Sequence, residues 1–252
     1  MSHEEDQWPR KMRWAVAALV ASMTLATATP LTQNANLRAG VVRSFRQFVY
    51  DHQLKPAPYR ALAIAFDAQD HALTCEVAVL KMVLAYRGIA VTEDELLERV
   101  GYDPTPSTWA NGIRTWGDPD EAFVGARDGI MGETGYGVHA GPIGRVAGTY
   151  RRAEVIEGGT AATLVTALSG GNPVIIWGVN GRGRDLTWRT LSGRIVHAVD
   201  GEHTRVVVGY TGSSDAVEGF HVMDPIYGEQ YWELDEFLEN WEQLGRQGVI
   251  VY

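Results

Sequence analysis

The chain has 252 residues, 45% of them hydrophobic, which is enough to bury one substantial core. Acidic residues outnumber basic ones, with 31 Asp and Glu against 22 Lys and Arg, so the formal net charge is -9. No basic run breaks this balance, and the composition therefore argues against a protein that binds nucleic acid.

The first 28 residues have the pattern of an export signal. Arg10, Lys11 and Arg13 precede a mostly apolar run, Trp14 to Leu25, and the small residues of Ala26-Thr27-Ala28 fit a cleavage site. The apolar run is shorter than the roughly 20 residues of a spanning helix. We therefore expect an exported protein that is secreted or anchored on the outer side of the cytoplasmic membrane. Cleaved signal and retained membrane tether both stay open.

Residues 29–57 are predicted to form an amphipathic segment and a linker. Val41, Phe45 and Val49 recur at helical spacing, and Lys55-Pro56-Ala57-Pro58 is typical of a linker. No second shift of composition follows. The sequence therefore predicts one catalytic-sized domain over residues 58–252.

The domain is predicted to open with a strand, Tyr59–Phe66, and a polar loop, Asp67–Thr74. A helix over Cys75–Arg87 follows, and its apolar residues lie on nearly every side, which is typical of a buried helix. Thr92 and Glu95 have capping-box spacing and predict the start of a second helix.

Asp103 to Ile143 is rich in Gly, Pro, Trp and Asp and has no clear period, so we expect a long surface excursion there. The remaining predicted elements are a helix at Thr160–Leu168, strands at Val174–Val179, Thr204–Tyr210 and Gly219–Met223, a helix at Leu234–Trp241 and a strand at Val249–Tyr252. Helices mostly precede strands, so the fold class is α+β, with the buried helix packed on an antiparallel sheet.

Cys75 is the only cysteine, although an exported protein would usually pair its cysteines. A lone cysteine is an inert core residue, half of an intermolecular bridge or a reactive thiol. Cys75 stands where the polar loop meets the buried helix. The unpaired amides and the dipole of a helix N-terminus favour a thiolate, so this position suits a nucleophile.

Partners for such a nucleophile can be sought among the histidines. His203 stands at the mouth of the strand Thr204–Tyr210, and the next strand ends at Asp224-Pro225. If these strands form a hairpin, Asp224 comes beside His203 and can orient its imidazole. Gln69, on the loop before Cys75, has an amide that can donate to an oxyanion.

Several motifs resemble a known family of peptidases. They are Gln69 to Glu76, Leu84 to Ile89, Trp116-Gly117-Asp118-Pro119-Asp120, Gly135-Tyr136-Gly137-Val138, Gly171 to Trp177, Gly201-Glu202-His203-Thr204 and Asp224-Pro225. In this order they resemble the bacteriocin-processing (double-glycine, C39-like) peptidase family, whose members have a papain-like fold, over about residues 60 to 250.

The resemblance implies Cys75 as the nucleophile, His203 as the base, Asp224 as the residue that orients it and Gln69 as an oxyanion donor. No cofactor is predicted. One departure concerns the residue after the cysteine, which is glycine in many relatives and Glu76 here. A carboxylate at this position opposes formation of the thiolate unless its charge is offset.

Two other signals suggest different sites. Gly178, Gly181 and Gly183 make a glycine-rich turn, but the lysine of a phosphate-binding loop is missing, so we expect an ordinary loop. His197, His203 and His221 do not have the spacing of a helical metal motif. No metal is therefore predicted.

The predicted function is a cysteine peptidase or amidase that acts on a peptide or protein substrate through a Cys75 acyl-enzyme. Two alternatives stay open. An acyltransferase would use the same thioester but resolve it with an amine, and a non-catalytic peptide-binding module would keep the fold alone. The sequence does not identify the substrate or the oligomeric state.

Overall fold

The computed structural model describes residues 59–252, and of Arg182 its backbone only. The predictions for residues 1–28 and 29–57 therefore lie outside the described residues. The helices are α1 (Cys75–Tyr86), α2 (Glu93–Val100), α3 (Ala140–Tyr150), α4 (Ala161–Ser169) and α5 (Leu234–Glu242). Among the described residues, no helix has both the length and the apolar character needed to cross a membrane.

A mixed sheet with mostly antiparallel pairs forms the centre of the fold, with strand order β11-β10-β9-β8-β12-β7 along its main path. Those strands are β7 (Ala153–Ile156), β8 (Val174–Arg189), β9 (Ile195–Gly212), β10 (Val217–Asp224), β11 (Gly228–Glu233) and β12 (Gly248–Val251). β1 (Arg60–Ala61) pairs with β9, and β3 (Thr108–Ala110) pairs with β4 (Ile113–Thr115), which joins β8 in parallel. β2 (Tyr102–Asp103), β5 (Phe123–Gly125) and β6 (Gly135–Gly137) form a small second sheet.

Helix α1 packs against β9 and lies in the middle of the domain. Its residues from Cys75 to Leu84 are buried except Lys81, which confirms the predicted buried helix. Helix α5 packs against β8 and β10, and its residues Phe237 and Trp241 lie in the core. The predicted α+β class, with a central helix against an antiparallel sheet, is confirmed.

Other predicted elements need correction. Only Arg60–Ala61 of the predicted strand Tyr59–Phe66 pairs with the sheet, although Leu62 and Ile64 are buried. The predicted surface excursion at Asp103–Ile143 holds short strands and the start of α3. Short paired strands of three residues have too few positions to show a period, which is why the sequence did not reveal them.

The glycine-rich segment at Gly178–Gly183 is not a loop. It lies inside β8, where the pairing with β9 shifts register between Val179 and Arg184. Gly181 and Gly183 have φ of +85° and +65°, which only glycine adopts without strain. The glycines therefore form a bulge that lets one long hairpin continue to Arg189.

Candidate active site

Cys75 is the first residue of α1, as predicted, and its side chain is buried. The helix begins without a capping side chain, because the Thr74 hydroxyl donates to Glu93 Oε2 at 2.9 Å instead of accepting from the helix. The backbone amides at this helix end therefore remain available to the groups around the sulfur.

The sulfur of Cys75 has two polar neighbours of opposite effect. Thr204 Oγ1 donates to Sγ at 3.0 Å, and the thiol donates to Glu76 Oε2 at 3.5 Å. Burial raises the pKa of the Cys75 thiol well above its ordinary value, and the carboxyl groups of Glu76 and Glu202 raise it further. The bonds from Thr204 lower that pKa but do not cancel the increase. In this arrangement the nucleophile candidate is a protonated thiol.

His203 and Asp224 lie together, on neighbouring strands of the predicted hairpin. His203 Nε2 is 3.0 Å from Asp224 Oδ2, and Arg205 Nε donates to the same oxygen at 2.8 Å. The backbone amides of Ile226 and Tyr227 donate to Oδ1 at 2.8 and 3.0 Å. The positive neighbours and these donors outweigh burial and hold the pKa of Asp224 well below its ordinary value. Asp224 is thus a carboxylate with enough donors to fix an imidazole.

Neighbouring side chains of β9 leave the strand on opposite faces, which separates these two groups. Thr204 is opposite Trp177, whose indole Nε1 donates to Val138 O on the side of α3. His203 is opposite Gly178, where a Cβ would meet Asn240 of α5. The candidate triad therefore lies in two halves, Cys75 with Thr204 and His203 with Asp224, that meet at adjacent residues of one strand.

Gln69 lies on the predicted loop before α1, but its amide is engaged locally. Nε2 donates to His71 O at 2.7 Å and to Ala72 O at 3.0 Å, while Oε1 is buried without a hydrogen-bond partner among the described residues. The backbone amide of Gln69 donates to Pro225 O at 3.1 Å, so its loop is tied to the turn after Asp224. Gln69 thus connects the two halves, and an oxyanion role requires its amide to exchange a bond.

Sequence reasoning missed Glu202, although it stands beside His203 in a quoted motif. The exposed fractions of the Glu202 and Glu76 side chains are only 3% and 0%. One oxygen of each carboxyl group and the sulfur of Cys75 lie within 4.8 Å of one another. The signal that could have found Glu202 is the alternation of β9, which places residue 202 on the same face as residue 204.

Among the described residues, these three groups form the set whose spacing would suit a metal ion. We assign no metal to them, because α1 directs the positive end of its dipole at this point and disfavours a cation. A proton neutralises a buried carboxyl group at lower cost, since it needs no further ligands.

A cavity opens on the other face of β9. It is lined by Asn180, Arg205, Trp232, Asn240 and Gln243. The Arg205 guanidinium stacks on Trp232, 4.9 Å from the ring centroid, and its Nε holds Asp224. The cavity therefore adjoins the His203 half of the site and not the Cys75 half.

Comparisons with known proteins identify the family and the fold. The sequence matches the Peptidase_C39 like family over residues 61–249. It is 33% identical, over 184 residues, to the uncharacterized protein YvpB of Bacillus subtilis (strain 168), covering 70% of this chain and 68% of that protein. The crystal structure of a putative C39-like peptidase from Bacillus anthracis matches with a TM-score of 0.64 and 27% identity, covering 78% of this chain and 98% of that one. A double glycine motif protease from an AMS/PCAT transporter, solved in complex with the leader peptide, matches with a TM-score of 0.43 and 16% identity, covering 79% and 99%.

Proposed function

Because the chain belongs to the Peptidase_C39 like family, we propose that it is a cysteine peptidase-like hydrolase that cleaves peptide or amide bonds through an acyl-enzyme on Cys75. The observation that carries the proposal is the position of Cys75 at the uncapped start of α1, against the strand that bears His203. Thiol hydrolysis needs a nucleophile at such a helix end and a base held by a third group. The predicted export to the outer side of the membrane is part of this proposal.

In the proposed reaction, His203 accepts the thiol proton while Asp224 stabilises the imidazolium. The sulfur attacks the carbonyl carbon, the C–N bond breaks, and the imidazolium returns its proton to the leaving amine. Water then hydrolyses the thioester and releases the acid. The Cys75 backbone amide and Gln69 would donate to the oxyanion. His203 and the sulfur lie on opposite faces of β9, so proton transfer between them requires the strand to rearrange when substrate binds.

The first test is hydrolysis of a peptide library by the wild-type protein and by Cys75→Ala. We expect the substitution to abolish turnover without unfolding, because alanine is tolerated at the start of a helix and removes only the sulfur. Mass spectrometry of products and thermal unfolding of both proteins provide the readouts. Full activity of Cys75→Ala would refute Cys75 as the nucleophile.

A peptide-binding module of the same fold is the second candidate, and the protonated thiol favours it. Burial and the neighbouring carboxyl groups raise the pKa of Cys75, whereas a catalytic thiol is usually made more acidic by its surroundings. Alkylation with iodoacetamide in mild acid separates the two candidates. A peptidase thiol should react faster than free cysteine under these conditions, and a binding module should react no faster.

A further inference from the structure

Glu76 and Glu202 form a buried carboxyl pair beside Cys75, and the proposed reaction uses neither of them. Glu76 comes from α1 and Glu202 from β9, so the pair bridges the two elements that build the site. Both oxygens of Glu202 are buried without a hydrogen-bond partner among the described residues. Two such groups cannot both be ionised at this separation without a counter-charge, because a dry interior penalises each charge.

The surroundings distinguish the two carboxyl groups. Glu76 Oε1 accepts the backbone N–H of Val138 at 2.7 Å, and Glu76 lies in the first turn of α1, where the helix dipole favours negative charge. Glu202 accepts no such hydrogen bond among the described residues and does not lie at the start of a helix. The charge of the pair therefore belongs on Glu76, and a proton on Glu202.

Gly137 makes room for this pair. A Cβ at residue 137 would lie 2.2 Å from Glu76 Oε1 and 3.3 Å from Glu202 Oε2, so both carboxyl groups rest against bare backbone. The glycine also has a φ of +120°, which side-chain-bearing residues rarely adopt. The second sheet is thus shaped to bring the two carboxyl groups together.

Four other ionisable groups act on the pair. Cys75 and Tyr136 are neutral at physiological pH, because burial raises the pKa of each. Arg205 attracts a charge on Glu202 from the opposite face of β9, and Glu93 of α2 weakly opposes a charge on Glu76. Arg205 is already bound to Asp224, so it does not neutralise the pair.

We propose that Glu76 and Glu202 share one proton at neutral pH, so that the pair presents a single negative charge to Cys75 and sets the acidity of its thiol. Both residues act only through Cys75, so they are positioning residues. The inference rests on the proposed function only in giving Cys75 a catalytic role. Burial raises the pKa of Glu76 to about 7 and that of Glu202 well above its ordinary value, so both groups bind protons more tightly than exposed carboxyl groups.

Sharing has a consequence that two independent carboxylates would not have. If Glu202 becomes an amide, Glu76 loses its competitor and stays ionised, so the charge beside the sulfur remains one unit. The reciprocal change removes the charge, because Glu202 lies in a dry site without a donor among the described residues and stays protonated. Replacement of Glu76, alone or together with Glu202, therefore removes the charge and makes the thiol more acidic.

The test measures the rate of Cys75 alkylation by iodoacetamide between about pH 6 and about pH 10, where thiols titrate. The proteins are wild type, Glu76→Gln, Glu202→Gln and the double variant, with Glu98→Gln, an exposed residue of α2, as a control for loss of one charge. We expect Glu202→Gln and the control to react within about twofold of wild type at neutral pH. Glu76→Gln and the double variant should react at least about tenfold faster, with their titrations moved to lower pH.

A Glu202→Gln variant that reacts about tenfold faster would show a second charge and overturn the proposal, as would a double variant that matches wild type. If the double variant does not fold, the 13C shifts of the two glutamate carboxyl groups in the wild-type protein decide, with the single variants used for assignment. One proton bound by the pair at neutral pH supports sharing, and none or two refutes it. No substrate is involved, so an inactive enzyme would not affect this result.

Discussion

At the scale of single residues, contacts of opposite effect determine whether the sulfur of Cys75 keeps its proton. Burial and two carboxyl groups favour the thiol, while Thr204 favours the thiolate through its hydroxyl and its backbone amide. The hydroxyl is the side-chain donor to Sγ among the described residues, at 3.0 Å. Thr204 therefore controls how readily Cys75 can become a nucleophile, whichever function the fold serves.

Thr204→Val should slow alkylation of Cys75 at a fixed pH by about three- to tenfold, the worth of one net hydrogen bond. Valine retains the shape and β-branching of threonine, so the protein should stay folded. Thr211→Val is the matched control, since Thr211 is buried on the same strand and its hydroxyl contacts Tyr231 instead. Equal rates for Thr204→Val and wild type would show that the hydroxyl does not stabilise the thiolate.

At the scale of elements, local sequence signals predicted the helices well, whereas the pairing of strands was predicted less well. The boundaries of α1 follow from a mostly apolar run that starts at Cys75, and the Thr92 cap accepts from Glu95 N as its spacing suggested. The hairpin that joins His203 to Asp224 was also predicted and is confirmed as the β9–β10 pair. These features depend on residues close together in the sequence.

What the sequence could not show depends on the register between paired strands. β8 runs through its glycines because β9 pairs with it on both sides of the bulge, and no local pattern reveals that partner. The face to which His203 points is likewise fixed by the register with Gly178. A strand-end histidine was predicted, whereas His203 lies inside a strand of 18 residues. The alternation of β9 gives the face of Glu202, but its burial follows from that pairing.

The bulge in β8 offers a test within one element. Gly181→Ala should lower the free energy of unfolding by about 1 to 2 kcal/mol, because a positive φ strains alanine although no atom lies within 4 Å. Gly183→Ala adds a clash, since its Cβ would lie 2.8 Å from Val199 Cγ1, so we expect about 1 to 3 kcal/mol more. Denaturant unfolding measures both. Equal losses would mean that the hairpin can shift at Val199.

At the scale of the whole molecule, several of the acidic residues of this acidic chain are buried in its interior. Glu76, Glu93 and Glu202 are buried, and burial raises the pKa of each, to about 7 for Glu76 and Glu93. Asp224 is the exception, because His203 and Arg205 surround it and its pKa is lowered. Folding thus binds protons at three carboxyl groups and releases one at the fourth.

These opposite shifts predict an unusual dependence of stability on pH. A carboxyl group with a raised pKa stabilises the fold below its unfolded pKa of about 4.3, and this contribution is lost as the pH rises to about 7. The contribution of Asp224 is present above about pH 3.9 and is lost only in stronger acid. Stability should therefore be greatest between about pH 4 and 5 and should fall toward neutral pH.

The Glu93→Gln variant tests how much Glu93 contributes to this dependence of stability on pH. Glutamine mimics the protonated acid and can still accept from Thr74 and from the Asp70 amide, so the fold should be kept. Between about pH 5 and 8, the loss of unfolding free energy should be smaller in this variant by about 2 kcal/mol. Urea unfolding at both pH values measures it, with the exposed Glu98→Gln as the control. An unchanged slope would mean that Glu93 titrates alike in the folded and unfolded chains, and that its buried contacts offset the cost of its charge.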